Sequence, residues 1–116
     1  MIGIDLIKTS RMNRLMERFG DKALQKFLST DEIKLVKNYK TAAGFWAVKE
    51  AVSKALGVGI GSECKFHDIR ILKTIKGAPR LELKSNIMQS YNIKDISVSI
   101  THDGEYAIAV VAIETI

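Results

Sequence analysis

The pattern of apolar and polar positions divides the chain into a helical first half and an extended second half. Met1 to Ile7 is apolar except at Gly3 and Asp5, and reads as a short strand with a carboxylate in its interior. Ser10 stands as the cap of a helix whose Met12, Leu15, Met16 and Phe19 recur at helical spacing, and Gly20 ends it. Ser29 and Glu32 have the spacing of a capping box ahead of a second helical stretch, Thr30 to Tyr39. The longest helical pattern runs from Lys40 to Leu56 and is stopped by Gly57, Gly59 and Gly61.

Beyond those glycines the period changes. Asp68 to Leu72 and Leu81 to Lys84 read as strands on either side of the turn Lys76-Gly77-Ala78-Pro79. Ile96 to Thr101 and Tyr106 to Ile113 are the strongest strand patterns, and Asp103-Gly104 between them is a favoured two-residue hairpin turn. No repeat, linker or biased segment interrupts the chain. The expectation is a single α+β domain over residues 1–116, with N-terminal helices packed on a small, mainly antiparallel sheet.

Composition narrows the function class. The 116 residues are 47% hydrophobic and 27% charged, a globular balance that argues against disorder. The longest apolar run, Tyr106 to Ile113, falls far short of the roughly 20 residues of a spanning helix, so no membrane role is expected. Cys64 is the only cysteine and cannot pair within the chain, which suits a reducing compartment. With no basic segment at the N-terminus to suggest a signal peptide, a cytoplasmic location is expected. The net charge of +5 favours an acidic partner: nucleic acid, a phosphorylated small molecule or an acidic protein. So short a chain buries only a modest share of its surface, which keeps oligomerisation open.

Candidate chemistry begins on the long helix. On a helical wheel Phe45, Val48, Val52 and Leu56 share one face. Trp46, Glu50 and Lys54 form a second stripe flanked by Lys49 and Ser53. Two readings stand side by side: a solvent-facing Glu50–Lys54 pair, or a phosphate site in which the acid holds a metal and the base meets the anion. Asp5 also has two readings, an edge position in water or a functional carboxylate, because a lone buried acid is costly. Together Asp5 and Glu50 could supply the carboxylates of a Mg²⁺ site. His102 ends a strong strand beside a tight turn, where scaffolds present functional groups. His67 and Cys64 do not complete a zinc set with it. Gly57-Val58-Gly59-Ile60-Gly61 follows a helix, whereas phosphate-cradling loops precede one. Arg11, Arg14 and Arg18 form a basic face on the first helix, either solvated or a docking surface for something acidic.

Three segments together resemble the holo-acyl-carrier-protein synthase family, the small phosphopantetheinyl transferases. They are Gly3-Ile4-Asp5-Leu6; the run from Trp46-Ala47-Val48-Lys49-Glu50-Ala51 through Lys54-Ala55-Leu56-Gly57; and Val98-Ser99-Ile100-Thr101-His102 with Tyr106-Ala107 following. Lys76-Gly77-Ala78-Pro79 is similar to the turn that this family usually writes as N-G-K-P. The resemblance extends end to end.

It implies transfer of 4′-phosphopantetheine from coenzyme A to a serine of acyl carrier protein, with release of adenosine 3′,5′-bisphosphate, in fatty acid biosynthesis. By resemblance, Asp5 and Glu50 would ligate Mg²⁺, and Lys54 would meet a phosphate oxygen. Thr101 and His102 would contact coenzyme A, and Gly57 and Pro79 would shape the pocket. Arg11, Arg14 and Arg18 would face the carrier protein. The base is left open among metal-bound water, Glu50, Asp31 or a water held by one of them. The family is typically a trimer with interfacial active sites. One position departs: Phe45 replaces the family's arginine, and Lys40 or Lys49 would take over its contact with the nucleotide phosphate. The competing reading is a small basic nucleic-acid-binding module without catalytic activity.

Overall fold

Helix and sheet meet here at unusually short range, and the reason is a glycine in the first strand. The computed structural model describes all 116 residues. Strand β1 (Ile2–Lys8) leads into α1 (Thr9–Phe19), α2 (Asp21–Gln25) and α3 (Thr30–Ile33), and then into the long helix α4 (Tyr39–Ala55). A 3₁₀ turn at Phe66–Asp68 precedes β2 (Ile69–Lys73) and β3 (Pro79–Leu83); α5 (Ser85–Ser90), β4 (Ile93–Asp103) and β5 (Tyr106–Thr115) complete the chain. One antiparallel sheet has the order β1-β5-β4, and β2 and β3 form a separate antiparallel pair.

The register fixes which side chains share a face. Asp5 lies opposite Ala109 on β5, and Ala109 lies opposite Ile100 on β4; Ile7, Ala107 and His102 form the next row. Side chains alternate along a strand, so Gly3, Asp5, Ile7, Ala107, Ala109, Val111, Val98, Ile100 and His102 share the face that α4 covers. A Cβ on Gly3 would lie 2.6 Å from the Ala55 nitrogen and closer still to the Ala51 carbonyl oxygen. The missing side chain lets β1 rest on the backbone of α4. Beneath the helix, Ala43, Ala47, Val48, Ala51 and Val52 pack with Ala107, Ala109 and Val111 into the core.

Caps explain the helix limits. Asn38, in extended conformation, accepts from the backbone N–H groups of Lys40 and Thr41 and starts α4. Gly57, at φ +79°, stops it. The Ser29–Glu32 capping box forms as expected. The helix it opens ends at Ile33 rather than Tyr39, because i→i+3 bonds to Leu35 and Val36 tighten the chain and Asn38 then begins a new helix. Ser10 is not a cap: α1 begins at Thr9 after Lys8, and the Thr9 hydroxyl instead donates to the Glu105 carbonyl at 3.0 Å. The hairpin turn sits one residue later than the pattern indicates, at Gly104-Glu105, since Asp103 pairs with Tyr106.

Candidate active site

Lys54 joins strand and helix. Its Nζ lies 2.8 Å from Asp5 Oδ1 and donates at 3.3 Å to the carbonyl oxygen of Ile4, on an outer strand of the sheet. The Asp5 side chain is only 13% exposed, because the helix covers its face of the strand. Glu50 stands one turn before Lys54 on α4. Burial raises the Glu50 pKa above its ordinary value, the nearby Asp5 charge raises it further, and Lys54 partly offsets both. Two carboxylates and one ammonium therefore share a small half-buried volume with one net negative charge when all are ionised. A hard dication fits such a set, because Mg²⁺ is bound through one or two carboxylates and completes its shell with water and phosphate oxygens. No third His, Cys, Asp or Glu joins the pair to make a protein-only cage.

His102 belongs to a second locus. Its ring lies under the first turns of α4, with Nε2 2.9 Å from the carbonyl oxygen of Lys40. His102, Pro79, Gly77, Thr41, Lys37 and Lys73 line a cleft of about 280 Å³ whose floor includes Phe45. The two loci flank the same helix. Asp5 is on β1 and His102 on β4, the outer strands of the sheet, roughly 10 Å apart across β5 by strand spacing. Helix α4 runs over the sheet between them.

Several expectations change. Lys49 is fully buried and does not face a nucleotide. Its Nζ donates to Glu32 Oε1 at 2.9 Å and to the carbonyl oxygens of Phe27 and Phe66 at 2.7 and 3.1 Å. Burial lowers its pKa, against the pull of Glu32. Glu32 is satisfied in turn by the N–H groups of Ser29 and Ile71, both at 2.8 Å. Lys40 is exposed and gives its backbone carbonyl to His102; the cations lining the cleft beside Phe45 are Lys37 and Lys73. Lys73 Nζ sits 5.9 Å from the centre of the Phe45 ring. Thr101 projects from the face of β4 opposite His102, so the fold does not bring the two together.

The remaining candidates lie apart. Gly57 is exposed three residues beyond Lys54, and Asp31 pairs at the surface with Lys34 and Arg70. Arg11, Arg14 and Arg18 are exposed along α1. Leu15 and Phe19 are exposed on the same helix, because only Met12 among its apolar residues is fully buried. Gly44, Lys37 and Lys73 went unread in the sequence, and Glu32 was read only as half of a capping box. The capping box marked Glu32 as local, and the one glycine inside a helix was the available sign of a close approach at residue 44.

Comparison with known proteins identifies the family. Residues 1–111 match the family described as the 4′-phosphopantetheinyl transferase superfamily, to which the chain belongs. A holo-[acyl-carrier-protein] synthase of Sulfurimonas denitrificans is 68% identical over 99% of this chain and 95% of its own length. One from Aliarcobacter butzleri is 54% identical over 96% of this chain and 94% of its own. The crystal structure of the Helicobacter pylori holo-[acyl-carrier-protein] synthase in complex with coenzyme A superposes with a TM-score of 0.95 at 47% identity, covering 98% of this chain and all of that one. The class expected from the sequence, an enzyme of the holo-acyl-carrier-protein synthase kind, holds.

Two outcomes test the geometry. Lys49→Met leaves the Glu32 carboxylate buried without its cation and is expected to cost about 3–5 kcal/mol in denaturant unfolding, with part of the loss recovered in Lys49→Met/Glu32→Gln. Glu50 has a folded-state pKa above the unfolded value of 4.5, so its favourable contribution is complete below that pH and is lost as pH rises through the folded pKa. Metal-free Glu50→Gln is therefore expected to melt above wild type at pH 7, with the advantage shrinking as the pH approaches 4.5. An unchanged difference across that range would contradict the shift.

Proposed function

We propose that the chain transfers the 4′-phosphopantetheine arm of coenzyme A to a serine hydroxyl of apo acyl carrier protein, with Mg²⁺, in fatty acid biosynthesis in the cytoplasm. The observation that carries the reading is the convergence of Asp5, Glu50 and Lys54 across strand and helix. In the reaction the serine oxygen forms a bond to the β-phosphorus of the diphosphate. The bond from that phosphorus to the bridging oxygen breaks, and adenosine 3′,5′-bisphosphate leaves. Asp5 and Glu50 would hold Mg²⁺, which when bound would supply charge neutralisation at the phosphates. Lys54, fixed by Asp5, presents its remaining donor capacity to a phosphate oxygen and stabilises charge on the leaving group. Glu50 or a water held beside it would accept the serine proton.

The nucleotide end is assigned to the cleft of His102, Lys37 and Lys73, with Pro79 and Gly77 as its wall. Lys37 and Lys73 take over from the family's arginine. The exposed Arg11, Arg14 and Arg18, with Leu15 and Phe19 beside them, suit an acidic amphipathic helix of the carrier protein. The nucleic-acid reading gains no support: Trp46 stacks against Phe27 and Phe66 with centroids 5.1 and 4.9 Å away, instead of offering an open platform to bases.

A homotrimer with shared sites completes the reading. Ile4 and Leu6 are 60% and 57% exposed on the sheet face away from α4, beside Ile2 and Val110. That apolar face calls for a covering partner. Helix α4 standing between the Asp5 and His102 loci is consistent with each site drawing them from different subunits.

Mass spectrometry of apo carrier protein incubated with coenzyme A, Mg²⁺ and enzyme is expected to show the gain of one phosphopantetheine arm, abolished by EDTA. Glu50→Gln is expected to lower turnover by about a hundredfold or more. Arg11→Glu should raise KM for carrier protein by about tenfold without a matching rise for coenzyme A, and less so at high salt. No transfer to a cognate carrier protein would overturn the proposal. Sedimentation of Ile4→Glu is expected to show monomer where wild type sediments as a trimer; an unchanged trimer would place the interface elsewhere.

A further inference from the structure

His102 is held by a group whose chemistry allows only one role. Its Nε2 lies 2.9 Å from the Lys40 carbonyl oxygen, and a carbonyl can only accept. Nε2 therefore carries hydrogen. The neutral ring has one hydrogen to share, so its Nδ1 is bare and accepts. When the ring is protonated, Nδ1 donates while Nε2 keeps its bond to the carbonyl.

Gly44 makes this contact possible. A Cβ there would come within 3.2 Å of Nε2 and 3.3 Å of Cε1 on the same ring, and within 3.2 Å of Ile100 Cγ2. The imidazole thus fills the space left by a missing side chain on α4, and its Nε2 edge is turned into the helix. Near the ring the cleft presents Lys37 and Lys73 but no carboxylate.

We infer that Nδ1 is the atom through which His102 meets its ligand, with the Lys40 carbonyl and Gly44 acting as positioning groups that commit Nε2 to the protein. The inference rests on coenzyme A occupying this cleft and deepens that reading by assigning the contact to one atom. The ligand group it takes is polar and compact, a phosphate oxygen meeting the protonated ring or a hydroxyl or amino hydrogen meeting the neutral one. Residue 102 thereby separates into two tasks on two nitrogens. One anchors the ring to the helix; the other faces the substrate.

Amide side chains separate these tasks. Asparagine at 102 places a polar atom near the position of Nδ1 and abandons the Lys40 carbonyl. Glutamine reaches the position of Nε2 and leaves the cleft unserved. Calorimetric titration with coenzyme A is expected to show His102→Gln weakened by about tenfold or more, the worth of one hydrogen bond to a charged group, and His102→Asn retaining most of the affinity. A glutamine variant that binds as well as or better than the asparagine variant would overturn the inference.

Long-range ¹⁵N spectra of the free protein provide a test that does not depend on the ligand. The chain has two histidines, so the His102→Gln spectrum assigns the ring. Above the ring pKa, hydrogen on Nε2 and a bare Nδ1 are expected, and Gly44→Ala is expected to reduce that preference; the opposite tautomer in wild type overturns the assignment. If wild-type protein shows no heat with coenzyme A, the coenzyme A reading falls, while the spectrum still decides the tautomer.

Discussion

A strand can lie against the backbone of a helix only where one of them gives up its side chain, and Gly3 does so here. Its Cα hydrogens face Ala51 and Ala55, and any larger residue would displace α4 from β1. The consequence reaches past packing. With the helix so close, Asp5, two residues further along the same face, lies within reach of Lys54, and Glu50 lies near enough to feel its charge. At the other end of the helix Gly44 repeats the device against β4 and admits the imidazole of His102. The functional groups at both ends are spaced by how tightly the helix can press on the sheet.

The charges separate into two kinds. Lys49 and Glu32 are removed from water, and every polar atom of the pair has a partner, so the pair joins α4 to α3 and the middle of β2. Such a pair adds little net stability over apolar residues of the same volume, and losing one member is severe. Asp5, Glu50 and Lys54 are arranged differently. Their shared volume leaves one carboxylate without a matching cation, and burial, with the Asp5 charge adding to it, raises the Glu50 pKa. The first set of charges is complete within the chain; the second keeps an excess carboxylate.

Much of this was legible in the sequence. Hydrophobic period located β1, α1, α4, β4 and β5, and the Ser29–Glu32 spacing read correctly as a capping box. The Asp5, Glu50 and Lys54 set was legible as one of two readings of the helix stripe and the strand acid, was favoured by the resemblance, and lies together in the fold. Lys49 was misread because neighbouring positions on a helical wheel look alike until a third element covers one of them. Here the 3₁₀ turn and the Phe27 segment close over Lys49 and leave Glu50 half-open. The short helices α2 and α5 carry too few turns to show a period. Thr101 and His102 are adjacent in sequence but point to opposite sides of the sheet. Only the register could separate them.

Phe45 has a consequence for how the cleft grips. A guanidinium would offer a planar fork of fixed geometry, rewarding one orientation of an anion and penalising others. Here the positive charge comes instead from two ammonium groups on flexible stems, one from the loop before α4 and one from the end of β2, with the Phe45 ring buried beneath Lys73. Directional grip is exchanged for adaptability: an anion shaped to a bidentate fork would find no match here, whereas a loosely placed one would.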